Sequence, residues 1–258
     1  MFKQERQDRI LRILEKEKSV NVEDIAREFS VSAMTIRRDL QTLERQGLIE
    51  RTHGGAVLLP RPQHGLGRDL MLRLRDQVME KQAIARRIAS CIGQSETIYL
   101  SPGTTTYYVA KALVPRKDIV VVTNSLLIAW ELAISSDIEV IMLGGALRRQ
   151  RMSLARIFVL DHLESLQVDR IIVGCEGIHH IHGITNNVPP EYGTDRFVIG
   201  DRRKAVVVAD HTKVGAQAKF EVAAIDRVDA LITTTAVPEH KAIAFEERGV
   251  RVERVPVV

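Results

Sequence analysis

The chain has 258 residues, which suits a small domain joined to a larger one. Its hydrophobic share of 45% supplies a core for a domain of ~180 residues, while an aromatic share of 4% argues against a platform that stacks single-stranded nucleic acid. A formal net charge of +4 permits contact with a polyanion without demonstrating it, so the case for nucleic acid rests on where the arginines sit.

Residues 3 to 18 read as a helix with Ile10, Ile13 and Leu14 on one face. Asn21 can cap a second helix, with Asp24 in a capping-box position and Ile25, Ala26 and Phe29 as its apolar face. Ser30-Val31-Ser32 is a tight connection, and Ser32 caps a third helix whose buried stripe is Ile36, Leu40 and Leu43. Gly47 ends that helix. Two extended runs follow, Leu48 to Arg51 and Ala56 to Leu59, around the turn Thr52-His53-Gly54-Gly55. Three helices and a hairpin predict a winged helix-turn-helix over residues 1–59.

On the third helix Met34, Arg37, Arg38, Gln41 and Arg45 face away from the apolar stripe, with Thr35 and Thr42 on a flank. That outer face reads as long donors without an acid. Arginine pairs bidentately with guanine, and Ser and Thr suit phosphate oxygens, so the helix fits a major groove of double-stranded DNA. Arg51 and His53 on the wing sit beside two glycines that would let the backbone approach a phosphate. The candidate DNA contacts are Ser32, Met34, Thr35, Arg37, Arg38, Gln41, Arg51 and His53.

Residues 31 to 56, VSAMTIRRDLQTLERQGLIERTHGGA, resemble the signature of the DeoR-type (also called GlpR-type) repressors of sugar metabolism. The resemblance implies that Thr35, Arg37, Arg38, Arg51 and His53 lie at the DNA interface.

Residues 60 to 70 are rich in Pro and Gly and read as a linker. The segment 71–258 then begins with a long helix over about 72 to 92, using Ile84, Ile88 and Ile92. Strand-like runs follow at Thr97–Leu100, Ile119–Thr123, Glu139–Leu143, Arg170–Gly174, Ala205–Ala209, Ala230–Thr233 and Val250–Val255. Most lack an in/out alternation, as expected of strands covered on both faces. With helical stretches between most of them, they predict an α/β domain with a largely parallel sheet. No apolar run approaches the ~18 to 20 residues of a membrane span, and Met1–Arg6 has no apolar signal region, so the expected location is the cytoplasm. Cys91 and Cys175 read as small buried thiols, with no metal-ligand spacing. No metal or cofactor is expected.

Ser101-Pro102-Gly103-Thr104-Thr105-Thr106 follows the first strand and opens a helix. A glycine and three threonines at such a turn offer free N–H groups and hydroxyls to a phosphate. Thr123-Asn124-Ser125 and Gly144-Gly145 follow the next two strands on the same sheet edge, where open parallel sheets bind ligands. Lys213 adds a cation after Ala205–Ala209. Ser101, Gly103, Thr104, Thr105, Thr106, Thr123, Asn124, Ser125, Gly144, Gly145, Glu176 and Lys213 are therefore the candidate effector contacts. Gly103–Thr106, Thr123–Ser125, Gly144-Gly145, Gly177-Ile178, Gly183–Thr185 and Ala209–Lys213 match the DeoR pattern in order. The resemblance implies a sensor domain akin to ribose-5-phosphate isomerase and the CoA transferases that binds a phosphorylated sugar or sugar derivative. The chain departs from that pattern in having Ser101 and Glu176 for aspartates and Arg156 for glycine. A homo-oligomer is expected, a dimer or tetramer with the helix at 72–92 in its interface, because paired winged helices read two half-sites. The rival reading is a sugar-phosphate isomerase with Glu176, Glu191 or Asp210 as base.

Overall fold

The computed structural model describes residues 3–17, 19–45, 49–52, 54–58, 68–155, 167–189, 193–200 and 205–257. The chain divides into two compact units, Met1–Gly65 and Leu66–Val258.

The first unit contains α1 (Lys3–Glu17), α2 (Val22–Glu28) and α3 (Ala33–Arg45) over a three-stranded antiparallel sheet of β1 (Ser19–Asn21), β3 (Gly55–Leu58) and β2 (Ile49–Arg51), in that order. Its core is Ile10, Leu14, Ile25, Phe29, Ile36, Leu40, Leu43 and Ile49, all buried. Asn21 Oδ1 accepts from Glu23 N–H at 2.8 Å and so caps α2. Ser32 Oγ accepts from Thr35 N–H at 3.2 Å at the start of α3. The strand β1 escapes the sequence reading because three residues are too few to show a period of two. The helix end expected at Gly47 lies outside the described residues.

Gly55 owes its identity to β1. A Cβ there would stand 1.8 Å from the Val20 carbonyl oxygen and 3.2 Å from Asn21 Cα. Gly54 in turn accepts the Val22 N–H at 2.9 Å. This corrects the expectation that both glycines open the wing to phosphate: Gly55 is required by strand packing. A buried ion pair also ties α1 to α3. Asp39, 1% exposed, accepts from Arg6 Nε at 2.5 Å and from Gln7 Nε2 at 3.0 Å. Arg6 and Gln7 precede Ile10 by four and three residues, which puts them on the buried face of α1.

The second unit begins with α4 (Arg68–Arg75) and α5 (Val78–Cys91). Arg68, Asp69 and Leu70, read from sequence as linker, form the first turn of α4, and residues 60–67 lie outside the described residues. The single helix expected over 72–92 is broken at Asp76-Gln77, where Gln77 is left-handed with φ 47°. The buried Lys81 explains the break. Its Nζ donates to the carbonyls of Arg73 and Asp76, each at 2.5 Å, and so takes up acceptors at the end of α4.

Seven parallel strands form the main sheet: β4 (Thr97–Leu100), β5 (Val120–Thr123), β6 (Glu139–Met142), β9 (Arg170–Gly174), β12 (Ala205–Val208), β14 (Val228–Thr234) and β15 (Arg251–Val255), in the order β15-β14-β12-β9-β4-β5-β6. All seven match the strands expected from sequence. Alternate residues feed two cores. Ile98, Leu100, Val121, Ile172, Val206, Val208 and Ile232 pack on one face with α5, α6 (Thr104–Leu113) and α7 (Leu126–Ser135). Tyr99, Val122, Ile171, Val173, Val207 and Leu231 pack on the other with Val198 and Ile199 of α8 (Thr194–Ile199) and Phe245 of α9 (Glu239–Glu246). Ile178, Ile184 and Ala223 join this second core from the small sheet of β10 (Gly177–His179), β11 (Gly183–Asn186) and β13 (Phe220–Ala223). A short hairpin pairs β7 (Ala146–Arg148) with β8 (Ser153–Ala155).

Neither cysteine is fully buried as a residue: Cys91 and Cys175 are both partly accessible, and neither forms a disulfide. Among the described residues no helix is long and apolar enough to cross a membrane.

Replacing Gly55 by Ala should destabilise the first unit by ~1–3 kcal/mol or more, because the new methyl overlaps backbone that cannot move aside. Calorimetry should show an earlier transition for that unit. The fluorescence of Trp130 in the second unit should report an unchanged one. An unaltered first-unit transition would refute the packing argument.

Candidate functional site

In the first unit α3 presents one apolar and one polar face. Ile36, Leu40 and Leu43 are at most 1% exposed, while Met34, Arg37, Arg38 and Gln41 are exposed. Thr35 is half-buried, its hydroxyl 2.9 Å from that of Ser32. His53 lies outside the described residues. The polar face also carries an acid that the sequence reading overlooked. Glu44 sits two turns after Arg37 and is exposed, with Oε2 3.7 Å from Arg51 Nη1. Arg37 Nη2 is 3.4 Å from Glu23 Oε1 on α2. Exposed pairs of this kind are worth only ~0–1 kcal/mol, so phosphate oxygens can replace either carboxylate. Arg38 forms no ion pair among the described residues.

In the second unit the switch in strand order falls at β4, which has β9 on one side and β5 on the other. Several polar residues expected to bind a ligand there are instead committed to the protein. Ser101 is fully buried and its Oγ accepts the Gly174 N–H at 2.9 Å, joining β4 to β9. Thr106 donates to the Ser101 carbonyl at 2.7 Å. Thr123 donates to the Leu100 carbonyl at 2.7 Å and accepts the Ser125 N–H at 3.1 Å. Ser125 caps α7 through the Ile128 N–H at 3.3 Å. Gly144 is exposed, and a Cβ there would meet nothing within 4 Å.

What remains open is the first turn of α6. Gly103 precedes it with no side-chain cap, and no acidic residue lies in the turn. The first bond into this helix from outside runs from Tyr107 N–H to the Gly103 carbonyl at 3.0 Å. The N–H groups of Thr104, Thr105 and Thr106 have no acceptor among the described residues, and Gly103 and Thr104 are partly accessible. Such amides with the helix dipole favour an anion.

Beside this turn lies a cleft lined in part by Pro102, Asn124, Arg148, Arg151, Asp195 and Arg196. Asn124 Nδ2 donates to the Leu154 carbonyl at 2.6 Å and to Thr194 Oγ1 at 2.9 Å. The fully buried Tyr99 hydroxyl lies 3.0 Å from Asn124 Oδ1 and 2.8 Å from Asp195 Oδ1, and its one proton serves either acceptor. Burial raises the Asp195 carboxyl to about 6, against the hydrogen bond from Tyr99 and the charges of Arg148 and Arg151. Glu176, after β9, pairs through Oε1 with Arg151 and, at 3.8 Å, with Arg73 Nη1. Its Oε2 accepts the Asn187 N–H at 2.7 Å. Burial pushes this carboxyl up, but Arg151, the Asn187 N–H and Arg73 hold it below its ordinary value. Burial and the neighbouring Asp210 push the Cys175 thiol up to about 12, which keeps it protonated.

Lys213 is half-buried after β12. Asp210, a candidate base in the isomerase reading, is buried and accepts the Thr212 N–H and hydroxyl at 3.1 and 2.5 Å. Glu191 and Arg156 lie outside the described residues. The sequence reading missed Asp195, Arg148 and Arg151, which come from short segments without a period. It also missed Glu80 and Lys81. Glu80 is buried, 2.5 Å from His211 Nδ1 and accepting the Thr234 hydroxyl at 2.6 Å. A signal for this pair was present: Lys81 precedes Ile84, Ala85 and Ile88 by three, four and seven residues, on the face that must be buried. Among the described residues no group of three or more His, Cys, Asp or Glu is placed to hold a metal ion.

Residues 6–61 match the family described as the DeoR-like helix-turn-helix domain, and residues 76–235 match the DeoR C-terminal sensor domain. The chain is 33% identical over 238 residues to the glycerol-3-phosphate regulon repressor of Escherichia coli K12, covering 92% of this chain and 93% of the relative. It is 34% identical over 233 residues to the transcriptional repressor GlcR of Bacillus subtilis, covering 90% and 89%. Among solved structures, ribose 5-phosphate isomerase A from Neisseria gonorrhoeae is similar over 52% of each chain, at 18% identity and a TM-score of 0.38.

The raised Asp195 carboxyl sets a pH dependence. Its folded value, about 6, lies above its ordinary 3.8, so the folded chain binds more protons than the unfolded one between them. Stability of the second unit therefore falls as pH rises from about 4 to 6 through this group. Asp195→Asn should remove that fall, leaving the variant more stable than the parent above pH ~6 and similar below pH ~4. Denaturant titration followed by Trp130 fluorescence across this range checks it; parallel curves for the two proteins would contradict the assignment.

Proposed function

The chain belongs to the DeoR family of transcriptional regulators, and from that premise we propose that it represses a carbohydrate-metabolism operon and releases its operator when a phosphorylated sugar or sugar derivative binds the second unit. The observation that carries the effector half is the set of unaccepted N–H groups at Thr104 to Thr106, at the carboxyl edge of the sheet beside the switch in strand order. A phosphate seats there by the same physics that places anions at other helix N-termini. Its sugar hydroxyls face Asp195 and Glu176, with Lys213 as a further cation, while Asn124, its amide spent on Leu154, Thr194 and Tyr99, frames the cleft. Ser101, Thr123 and Ser125 frame this site rather than touch the ligand, since each hydroxyl is buried in a backbone hydrogen bond.

The DNA half rests on α3. Arg37, Arg38, Gln41 and Met34 project from a helix whose other face is fixed by the core and by Asp39. Replacing Arg37 or Arg38 by Ala should weaken operator binding by ~1–3 kcal/mol, and the parent's affinity should fall steeply with salt as counterions are released. Gel-shift titration at matched salt measures both. Equal affinity in parent and variants would remove α3 as the reader.

Two half-sites call for at least a dimer. Within the span 72–92 expected to supply the interface, Ala83, Ile84, Ala85 and Ile88 of α5 are buried inside the unit, so the interface would use the opposite face. Exposed Met71, Leu72 and Met79 remain available near the break between α4 and α5. Light scattering at micromolar concentration should report a dimer or larger; a monomer with and without DNA would defeat this part.

A thermal-shift panel of glycerol 3-phosphate, glucose 6-phosphate and ribose 5-phosphate tests the effector. At least one should raise the transition of the second unit. Thr104→Val should reduce that gain and leave effector-free operator binding intact. Replacing Gly103 and Thr104 by glutamates should abolish the gain. A ligand that stabilises this double variant as well as the parent would place the pocket elsewhere.

A further inference from the structure

The helix α4 is the first described element after the segment that joins the two units. Among its described side chains Leu70 is buried at 5% exposure, Arg73 and Leu74 are half-buried, and Met71 and Leu72 are 49% and 55% exposed. Polar tethers add to this packing, and two of them lead toward the effector site. Tyr108 donates to the Leu74 carbonyl at 3.0 Å from α6, the helix whose first turn carries the open amides. Lys81 holds the Arg73 and Asp76 carbonyls. Arg73 itself reaches Glu176, which simultaneously pairs with Arg151 in the wall of the cleft.

We propose that Arg73 is a positioning residue that couples the effector site to DNA binding through Glu176. This coupling rests on the phosphate site at the first turn of α6. Glu176 has one oxygen on Arg151 and Arg73 and the other on the Asn187 N–H. Sugar hydroxyls that donate to this carboxylate compete with Arg73, the more distant of its two cations. Loss of that contact loosens the C-terminal end of α4, where the Tyr108 and Lys81 bonds also converge. The effector-free protein holds α4 docked and binds its operator; the effector-bound protein has α4 loosened and binds it less well. A ligand shifts such an equilibrium only through its different affinity for the two states, and Glu176 supplies that difference. Arg73 touches no ligand, so its replacement should separate ligand binding from response.

The test uses the full chain, with glycerol 3-phosphate, glucose 6-phosphate and ribose 5-phosphate as probes. For whichever probe binds the parent, calorimetry should give Arg73→Gln a tighter affinity, because no Arg73 contact remains for the probe to displace. The variant should bind operator weakly even without probe, and the probe should change that affinity by less than about twofold, against about 5- to 150-fold in the parent. Arg73→Lys keeps a cation and should restore much of the response. Hydrogen exchange of residues 68–76 should accelerate in the parent on adding the probe and be fast in Arg73→Gln from the start, with α9 unchanged in both. If the probe binds but exchange over 68–76 stays constant, or if Arg73→Gln responds as the parent does, the coupling is refuted while the phosphate site stands. If no probe binds the parent, the phosphate site fails and the coupling fails with it.

Discussion

A parallel sheet has to be covered on both faces, because each strand is reached by a crossover that packs against it. In the second unit this constraint governs most of the architecture. Seven strands alternate their side chains into two cores, Leu100 and Val121 to one side, Tyr99 and Val122 to the other. All seven carboxyl ends then lie on one edge. Helix first turns and strand ends meet there, so backbone donors and acceptors without a partner concentrate on that edge of the sheet.

Most of the polar side chains on the edge satisfy it from within. Ser101 joins two strands, Thr123 turns the chain after a third, and Ser125 caps α7. These hydroxyls are required because buried amides and carbonyls left unpaired are costly. The buried Ser101 hydroxyl bonded to the Gly174 N–H ties β4 to β9 without adding a charge at that edge. The first turn of α6 is different: its amides receive no side chain and face an accessible turn.

The first unit obeys a similar economy on a smaller scale. Its recognition helix is clamped from behind by the Ile36, Leu40 and Leu43 stripe and by Asp39 with Arg6 and Gln7. On the outer face, Arg37 and Arg51 rest against Glu23 and Glu44. These exposed pairs hold the arginines in the absence of DNA at little energetic cost to exchange. A buried ion pair that fixes a helix and surface pairs that can be traded for phosphate are the same chemistry at two dielectric environments.

The sequence by itself determined the elements and their class. Periodicity located α1 to α3 and the seven strands of the sheet, since a period of 3.6 or an unbroken Val/Ile run is a local consequence of which faces are buried. Glycine and threonine after Leu100 marked the open turn of α6, because a helix start is also a local signal. Tertiary structure alone decided which of the marked residues are available. Gly55 is a glycine because β1 passes 1.8 Å from where its Cβ would be, and Gly183 because its φ is +67° and a Cβ would lie 2.2 Å from the Ala223 carbonyl oxygen. Ser101, Thr123 and Ser125 look like ligand contacts until the neighbouring strands and the first turn of α7 supply partners. Asp195, Arg148 and Arg151 join the site from segments too short to carry a period. The break at Gln77 depends on Lys81 finding two carbonyls behind it. In each case the deciding partner is distant in the chain or is a backbone atom, and neither leaves a trace in residue spacing.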